Sequence, residues 1–308
     1  MVQKRCPQCH FTNTKKDGKH RNKQRYYCYD CRSSWTNKSR PPDSTNEVWR
    51  QFAYEQRTIK QLCTQFGKCR KWVKARLDDY RPPKMAHEPR PVVLIMDATY
   101  FGRSWGVLVG FDSLRNEVIY LSWLSGTERT ADYELVLDTL KTLGYQIEAV
   151  VIDGRRGVKE ACLYRGLPVQ HCQFHQLLTI TQCLTKRPKL EANKDLRDIA
   201  LTLTRTTQGE LEARLDSWHA KYGIWLKERD PDTNQFKHRR TRRAYFSLRR
   251  NLPYLFTYQT LADAKVPNTT NKLDGRFGAW KTALKRHRGC SKALKTKLLI
   301  SFLSGASD

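Results

Sequence analysis

The spacing of apolar positions changes period several times along this chain, and each change marks a different element. Residues 92–96, "VVLIM", form an unbroken apolar run that ends on Asp97, the pattern of a strand buried on both faces. "SWGVLVGFD" (104–112) and "NEVIYLSWLS" (116–125) predict two more strands joined by a tight connection. "TADYELVLDTLKTLGY" (130–145) has helical spacing and closes on Gly144. "QIEAVVIDGRRG" then supplies a second apolar strand, ending on Asp153, before a short helix and the strand "LPVQHC". Three meandering strands, a helix, a strand and further α/β elements make an RNase H-like order. That order sets Asp97 and Asp153 on neighbouring strands, at matching ends.

A different period governs residues 267–289, "PNTTNKLDGRFGAWKTALKRHRG". Leu273, Phe277, Trp280 and Leu284 make one apolar stripe of a helix. About a quarter-turn round lie Asp274, Gly278, Lys281, Lys285 and Arg288, a lone acid heading a row of bases. Near the start, "QRTIKQLCTQFGKCRKWVKARL" reads as a helix-turn-helix with Gly67 at the turn. Ile59, Leu62 and Cys63 would pack its first helix, and Trp72, Val73 and Leu77 its second. Lys68, Arg70, Lys71, Lys74 and Arg76 are left to face DNA, although a plain helical hairpin carries the same pattern. "YRPPKMAHEPRP" (80–91) is a Pro-rich linker.

Cysteine spacing adds a metal. Cys6-Pro-Gln-Cys9 and Cys28-Tyr-Asp-Cys31 are two knuckles separated by eighteen residues, the ligand set of a structural zinc ribbon. "MVQKRCPQCH" has no apolar signal region, and no run approaches the ~20 apolar residues of a membrane span. A cytoplasmic setting, with reduced thiols and no membrane partner, is therefore expected.

Charge points to the partner. The net charge is +27, and the excess is regional: bases outnumber acids 22 to 8 in residues 1–90 and 27 to 12 in 181–308, against 8 to 10 in 91–180. Two basic flanks around a mildly acidic centre suit a nucleic acid, whose counterions each bound cation releases. The run "KHRRTRR" (237–243) holds Arg239, Arg240, Arg242 and Arg243, suited to gripping phosphates or to forming a solvated face.

The acidic centre suggests chemistry. Phosphodiester transfer can use two divalent ions ~4 Å apart, held by hard carboxylate oxygens. Asp97 and Asp153 supply two carboxylates, and a third must come from later in the chain. Glu191, Asp195, Asp198, Glu210 and Glu212 fall on polar helix faces like solvated acids, whereas Asp274 lies on a helix whose apolar stripe could dock on the sheet.

With these motifs in order, the chain resembles bacterial insertion-sequence DDE transposases of the Mutator-like type, nearly end to end. The resemblance rests on "CPQC…CYDC", "IMDATY", "VVIDG", "HCQFHQ", "TKRPKL…DL", "TNQFKHRRTRRAYFSLRRNLPYLFTY" and "TTNKLDGRFGAWKTALKRHRG". It implies an α/β fold, an RNase H-like mixed sheet with a helical insertion, preceded by a small zinc ribbon and a helix-turn-helix. The expected parts are the ribbon at 1–42, the helix-turn-helix region and linker at 43–90, the core at 91–182 and 263–308, and the insertion at 183–262. It further implies Asp97, Asp153 and Asp274 as catalytic ligands of Mg2+ or Mn2+, Zn2+ in the ribbon, and Cys172, His175 and Asn271 in support. Double-stranded DNA, both transposon ends and target, is the implied partner of a nucleoid-associated protein acting as a homodimer or higher assembly. Lys281, Lys285 and Arg288 would contact the cut strand. One departure stands out: the family usually has glutamate in Asn-x-x-Glu, and this chain reads Asn271-Lys-Leu-Asp274. Losing a methylene draws the carboxylate back, which supports a rival reading as a transposase-derived DNA-binding protein whose catalysis has lapsed; a metal-dependent nuclease of the same fold that cuts without joining is a second rival.

Overall fold

The computed structural model describes residues 4–20, 23–36, 44–102 and 105–304, and the chain divides into two units, Met1–Tyr80 and Arg81–Asp308. In the first, β1 (Thr14–His20), β2 (Lys23–Cys28) and β3 (Ser34–Thr36) pair antiparallel in that order. Their side chains are mostly exposed, and the buried groups are the thiols of Cys6 and Cys28. Ligand atoms of Cys6, Cys9, Cys28 and Cys31 all lie within 4.8 Å of one another. The Cys6–Cys31 and Cys9–Cys28 sulfurs are 3.5 and 3.6 Å apart. A tetrahedron of ~2.3 Å Zn–S bonds sets its sulfurs roughly 3.8 Å apart, so this donor set can hold a metal ion such as zinc.

Three helices follow: α1 (Thr45–Ala53), α2 (Ile59–Phe66) and α3 (Arg70–Asp79). Thr58 and Gln61 form a reciprocal capping box at the start of α2, and Gly67 ends it at a left-handed φ of 58°. Val48, Trp49 and Phe52 of α1 are buried, as are Leu62, Val73 and Leu77, while Ile59, Cys63 and Trp72 are half-buried. The expected pair of helices is thus present, with a third helix completing its core.

The second unit opens with β4 (Pro91–Tyr100), β5 (Gly106–Asp112) and β6 (Glu117–Leu124). Then come α4 (Thr130–Thr142), β7 (Gln146–Ile152), α5 (Arg156–Tyr164) and β8 (Val169–His171). The sheet order is β6-β5-β4-β7-β8, antiparallel between β4, β5 and β6, and parallel between β4, β7 and β8. Val92, Leu94 and Met96 of β4 pack with Tyr133, Val136 and Leu140 of α4 in one core. Alternation sends Val93, Ile95 and Asp97 to the opposite face.

Helices α6 (Gln173–Leu184), α7 (Glu191–Leu201), α8 (Gln208–Tyr222) and α9 (Arg239–Leu255) close a separate core around Leu196, Leu215, Trp218 and Leu248. The short α10 (Thr257–Thr260) leads back, and α11 (Asn271–Arg286) and α12 (Lys292–Ser304) finish the chain. Leu273, Phe277, Trp280 and Leu284 of α11 are buried, and the helix packs on β4. Lys272 Nζ and Arg276 donate to the backbone carbonyls of Ser113 and Asn116, at 3.1 and 2.5 Å, which tie α11 to the β5–β6 turn. Among the described residues no helix is long and apolar enough to cross a membrane.

Because the described residues of 4–36 bury so little besides thiols, chelating a metal held by the four cysteines is expected to unfold this segment. Hydrogen exchange should then show lost protection in β1 and β2 while β4 and β7 keep theirs. Protection that survives chelation would show that the thiols do not carry this fold.

Candidate active site

The parallel register aligns Ile95 of β4 with Val151 of β7. Asp97 lies two residues further along β4, on the sheet face opposite α4, and Asp153 directly follows the last residue of β7. Asp274 arrives from the first turn of α11. Burial pushes the Asp97 carboxyl up to about 7, and the charges of Asp274 and Asp153 add to the rise. The Ala98 N–H, which donates to Asp97 Oδ1 at 2.8 Å, and the charge of His175 pull the other way. The carboxylates of Asp274 and Asp153 therefore both act on Asp97. They are not drawn into a tight shell: among the described residues, only the four cysteines bring three or more His, Cys, Asp or Glu ligand atoms within 4.8 Å of one another.

Each acid is held by its own device. Asp153 Oδ1 accepts the Arg155 N–H at 3.0 Å. The Arg155 guanidinium reaches Glu128, bonding both its carboxylate and its carbonyl oxygen, and the Tyr100 hydroxyl donates to the same carboxylate. Gly154, next to Asp153, sits at φ +87°, and a Cβ built on it would lie 1.9 Å from Cε1 of His171. Burial holds the His171 imidazole down to about 4, so it is neutral at pH 7.

Asp274 is braced from α6. Thr270, fully buried, donates from Oγ1 to Asp274 Oδ2 at 3.0 Å. Its backbone N–H donates to Cys172 Sγ at 3.3 Å, and its Oγ1 lies 3.5 Å from both Cys172 Sγ and His175 Nδ1. The hydrogen bond with Cys172 lifts His175 to about 9, with Asp97 and Asp274 adding to the rise. Burial pushes the Cys172 thiol up, but bonds from His175 and Thr270 outweigh it and leave the thiol below its ordinary value. Cys172 and His175 thus serve as a brace, with an imidazolium as the cation beside the acids. Asn271 is exposed, and Thr270, one residue earlier, makes the contacts expected of a supporting group.

Sequence reasoning missed Thr270 and Glu128. Neither lies on a periodic stretch, and only a Thr four residues before Asp274, able to reach back along the first helical turn, gave a signal. Four of the five acids set aside as third ligands have structural partners instead. Glu191 and Asp195 meet Lys221, Glu210 caps α8 at Thr207, and Glu212 meets Arg249.

The cations expected to meet DNA divide similarly. Lys68, Arg70, Lys71 and Lys74 are exposed on and before α3, and Lys281, Lys285 and Arg288 are exposed along and beyond α11. On α9, Arg240 and Arg243 are exposed, while Arg239 donates to Gln235. Arg242 differs from these two: it is half-buried, bonds the Leu226 carbonyl at 3.1 Å and stacks 3.7 Å from the Phe236 ring centroid. The stack and the carbonyl bond outcompete solvent for that guanidinium. No family model and no curated protein matches the chain.

Two outcomes are expected. Asp97 has its pKa raised above the unfolded value, so its ionisation weakens the metal-free fold progressively as pH climbs from about 4 to about 7. Thermal melts of metal-free Asp97→Asn should sit above the parent by roughly 3 °C or more at pH 8 and converge with it near pH 4; equal melting at both would refute that burial cost. Gly154→Ala should lower the Tm by several degrees through the clash with His171, and Gly154→Ala with His171→Ala should recover part of it.

Proposed function

We propose that this chain is a DDE-type DNA transposase with an RNase H-like core, which binds the terminal inverted repeats of an insertion sequence, cleaves at their 3′ ends and joins those ends to target DNA. The observation that carries the reading is the meeting of Asp97, Asp153 and Asp274, brought from β4, the end of β7 and α11. Hard carboxylate oxygens with a buried, mutually repelling charge are a donor set suited to divalent cations. Held by these three aspartates, Mg2+ or Mn2+ would supply Lewis-acid stabilisation of charge on the phosphate oxygens.

The chain's own residues do the positioning. Thr270 fixes the Asp274 carboxylate, Arg155 presents its backbone N–H to Asp153, and His175 offsets part of the negative charge. Lys281, Lys285 and Arg288 run on from Asp274 and would hold the phosphates of the cut strand. In the first step water attacks phosphorus and the bond to the 3′ oxygen breaks, leaving a 3′-OH. In the second that 3′ oxygen attacks a target phosphodiester, and the target's own 3′ oxygen leaves. The ribbon and helices α2 and α3, with exposed Lys68, Arg70, Lys71 and Lys74, would read the ends. Pairing two ends calls for a homodimer or larger assembly on DNA, in the nucleoid of the cytoplasm.

A second reading has its own support. The carboxylates do not close within 4.8 Å, and Asp274 is a methylene shorter than the glutamate of the family this chain resembles. A transposase-derived, sequence-specific DNA-binding protein without catalysis would look the same. Strand-transfer assays on the element's ends with Mg2+ or Mn2+ separate the two. Asp274→Asn is expected to lower joined product at least about hundredfold, and Asp274→Glu to raise it. An Asp274→Asn protein as active as its parent would remove Asp274 from the site; free 3′ ends without joined product would indicate a nuclease.

A further inference from the structure

Beyond Asp97, β4 runs three more residues to Tyr100 and turns back into β5, and the Phe101 N–H donates to the Trp105 carbonyl at 3.0 Å across the turn. This end of the hairpin faces the second half of α11. Between them lies a cavity of about 310 Å³, lined by Tyr100, Phe101 and Trp105 on one side and Lys281, Lys285 and Arg288 on the other. Its size is within the ~300–1,000 Å³ of small-ligand sites.

The chemistry of the lining is mixed in a particular way. Phe101 and Trp105 have ring centroids 5.0 Å apart, and Trp123, 40% exposed, continues the aromatic row 5.8 Å beyond Trp105. Lys292 Nζ lies 5.8 Å from the Trp105 ring, and Lys295 lines the cavity as well. Among the described residues no acid lines it, and none of Lys281, Lys285 and Arg288 has an ion-pair partner. Gly106 keeps the wall in place, since a Cβ there would stand 2.7 Å from both the Thr99 carbonyl oxygen and the Tyr100 ring.

We propose that this cavity binds an unpaired nucleotide of a DNA strand, its base against Phe101 and Trp105 and its phosphates on Lys281, Lys285 and Arg288. A paired duplex offers this surface only phosphates, because its bases are stacked on one another. Cations alone would serve it, and recessed aromatic rings would have nothing to meet. A base released from the duplex has two open faces, which aromatic side chains bind with little regard to sequence. The position fits a strand leading from the aspartates. Seven residues of helix from Asp274 to Lys281 advance roughly 10 Å. Three residues of strand from Asp97 to Tyr100 advance about the same distance. At a rise of ~3.4 Å per stacked nucleotide, the cavity lies about three nucleotides from the reacting phosphate. The inference deepens the transposase reading and rests on its nucleic-acid part.

The test is binding at low salt, by fluorescence anisotropy with the full zinc-loaded chain, to a short DNA duplex bearing a single-stranded 3′ overhang and to its blunt counterpart. Trp105→Ala is expected to weaken overhang binding roughly tenfold or more and to leave blunt binding unchanged, while Trp105→Phe stays near the parent. A 2-aminopurine in the overhang should be quenched by the parent protein and not by Trp105→Ala. If Trp105→Ala does not fold, Lys285→Ala should lower the salt slope of overhang binding by about one, and the quenching by the parent remains decisive. Equal affinity of the parent for the two probes, or an unquenched 2-aminopurine, overturns the pocket while leaving the transposase reading intact. Tighter binding of an RNA overhang overturns the assignment to DNA. Binding to neither probe sinks the nucleic-acid reading itself, whereas overhang preference without strand transfer would leave the pocket standing and remove the transposase.

Discussion

The seating of α11 on the sheet is the contact on which the rest of the second unit turns. Leu273, Phe277, Trp280 and Leu284 are each buried, at roughly 1.5–3 kcal/mol per side chain, and they bring residues near the end of the chain against a strand that begins at Pro91. Asp274 and the cations Lys281, Lys285 and Arg288 share that helix, so one packing event delivers the third acid and the basic track together. Lys272 and Arg276 fix its rotation by bonding carbonyls of the β5–β6 turn, and the Arg276 guanidinium lies 5.1 Å from the Phe111 ring centroid.

The helices between α6 and α11 could have made that return costly, and the structure shows why they do not. Their core closes on itself, and its exit is pinned to its entrance. Gln170 and Gln173 both donate to the Leu255 carbonyl, and Thr257 donates to the Val169 carbonyl. Loop-closure entropy is thereby absorbed within a folded module rather than charged to the site. Asn268 then meets Gln173 through side chain and backbone, so α11 starts beside the N-terminus of α6. That adjacency puts Thr270 within reach of Cys172, His175 and Asp274 at once.

Asp97 is forced towards neutrality by burial and by its two acidic neighbours, in a chain of net charge +27. The bases are not spent on those acids. The His175 imidazolium is a cation acting on Asp97, while Lys281, Lys285 and Arg288 stay exposed on α11 and past its end. The separation suits the proposed site, which would meet metal cations and a polyanion together. A local salt bridge would have cancelled the charge both require.

Much of the frame was legible in the residue pattern because it depends on local period. The strand that carries Asp97, the strand before Asp153, the cysteine knuckles and the α11 stripe each follow from spacing within a few residues, and the structure has each of them, although β4 runs on past Asp97 to Tyr100 instead of ending there. Arg242 shows the limit: its charge and its place in "KHRRTRR" suggest solvent, and only the fold reveals Phe236 beneath it. Thr270 and Glu128 show the same limit from the other side, since their partners Cys172, His175, Tyr100 and Arg155 lie far away in sequence and no period links them. The sequence by itself determined which stretches are strand and helix, which face of each is apolar, and how many carboxylates stand ready. Only the tertiary structure decided that the charges of Asp153 and Asp274 act on Asp97, that Thr270 holds Asp274, and that aromatic rings face lysines across a cavity. Those facts depend on distances between segments, which burial sets and local pattern does not encode.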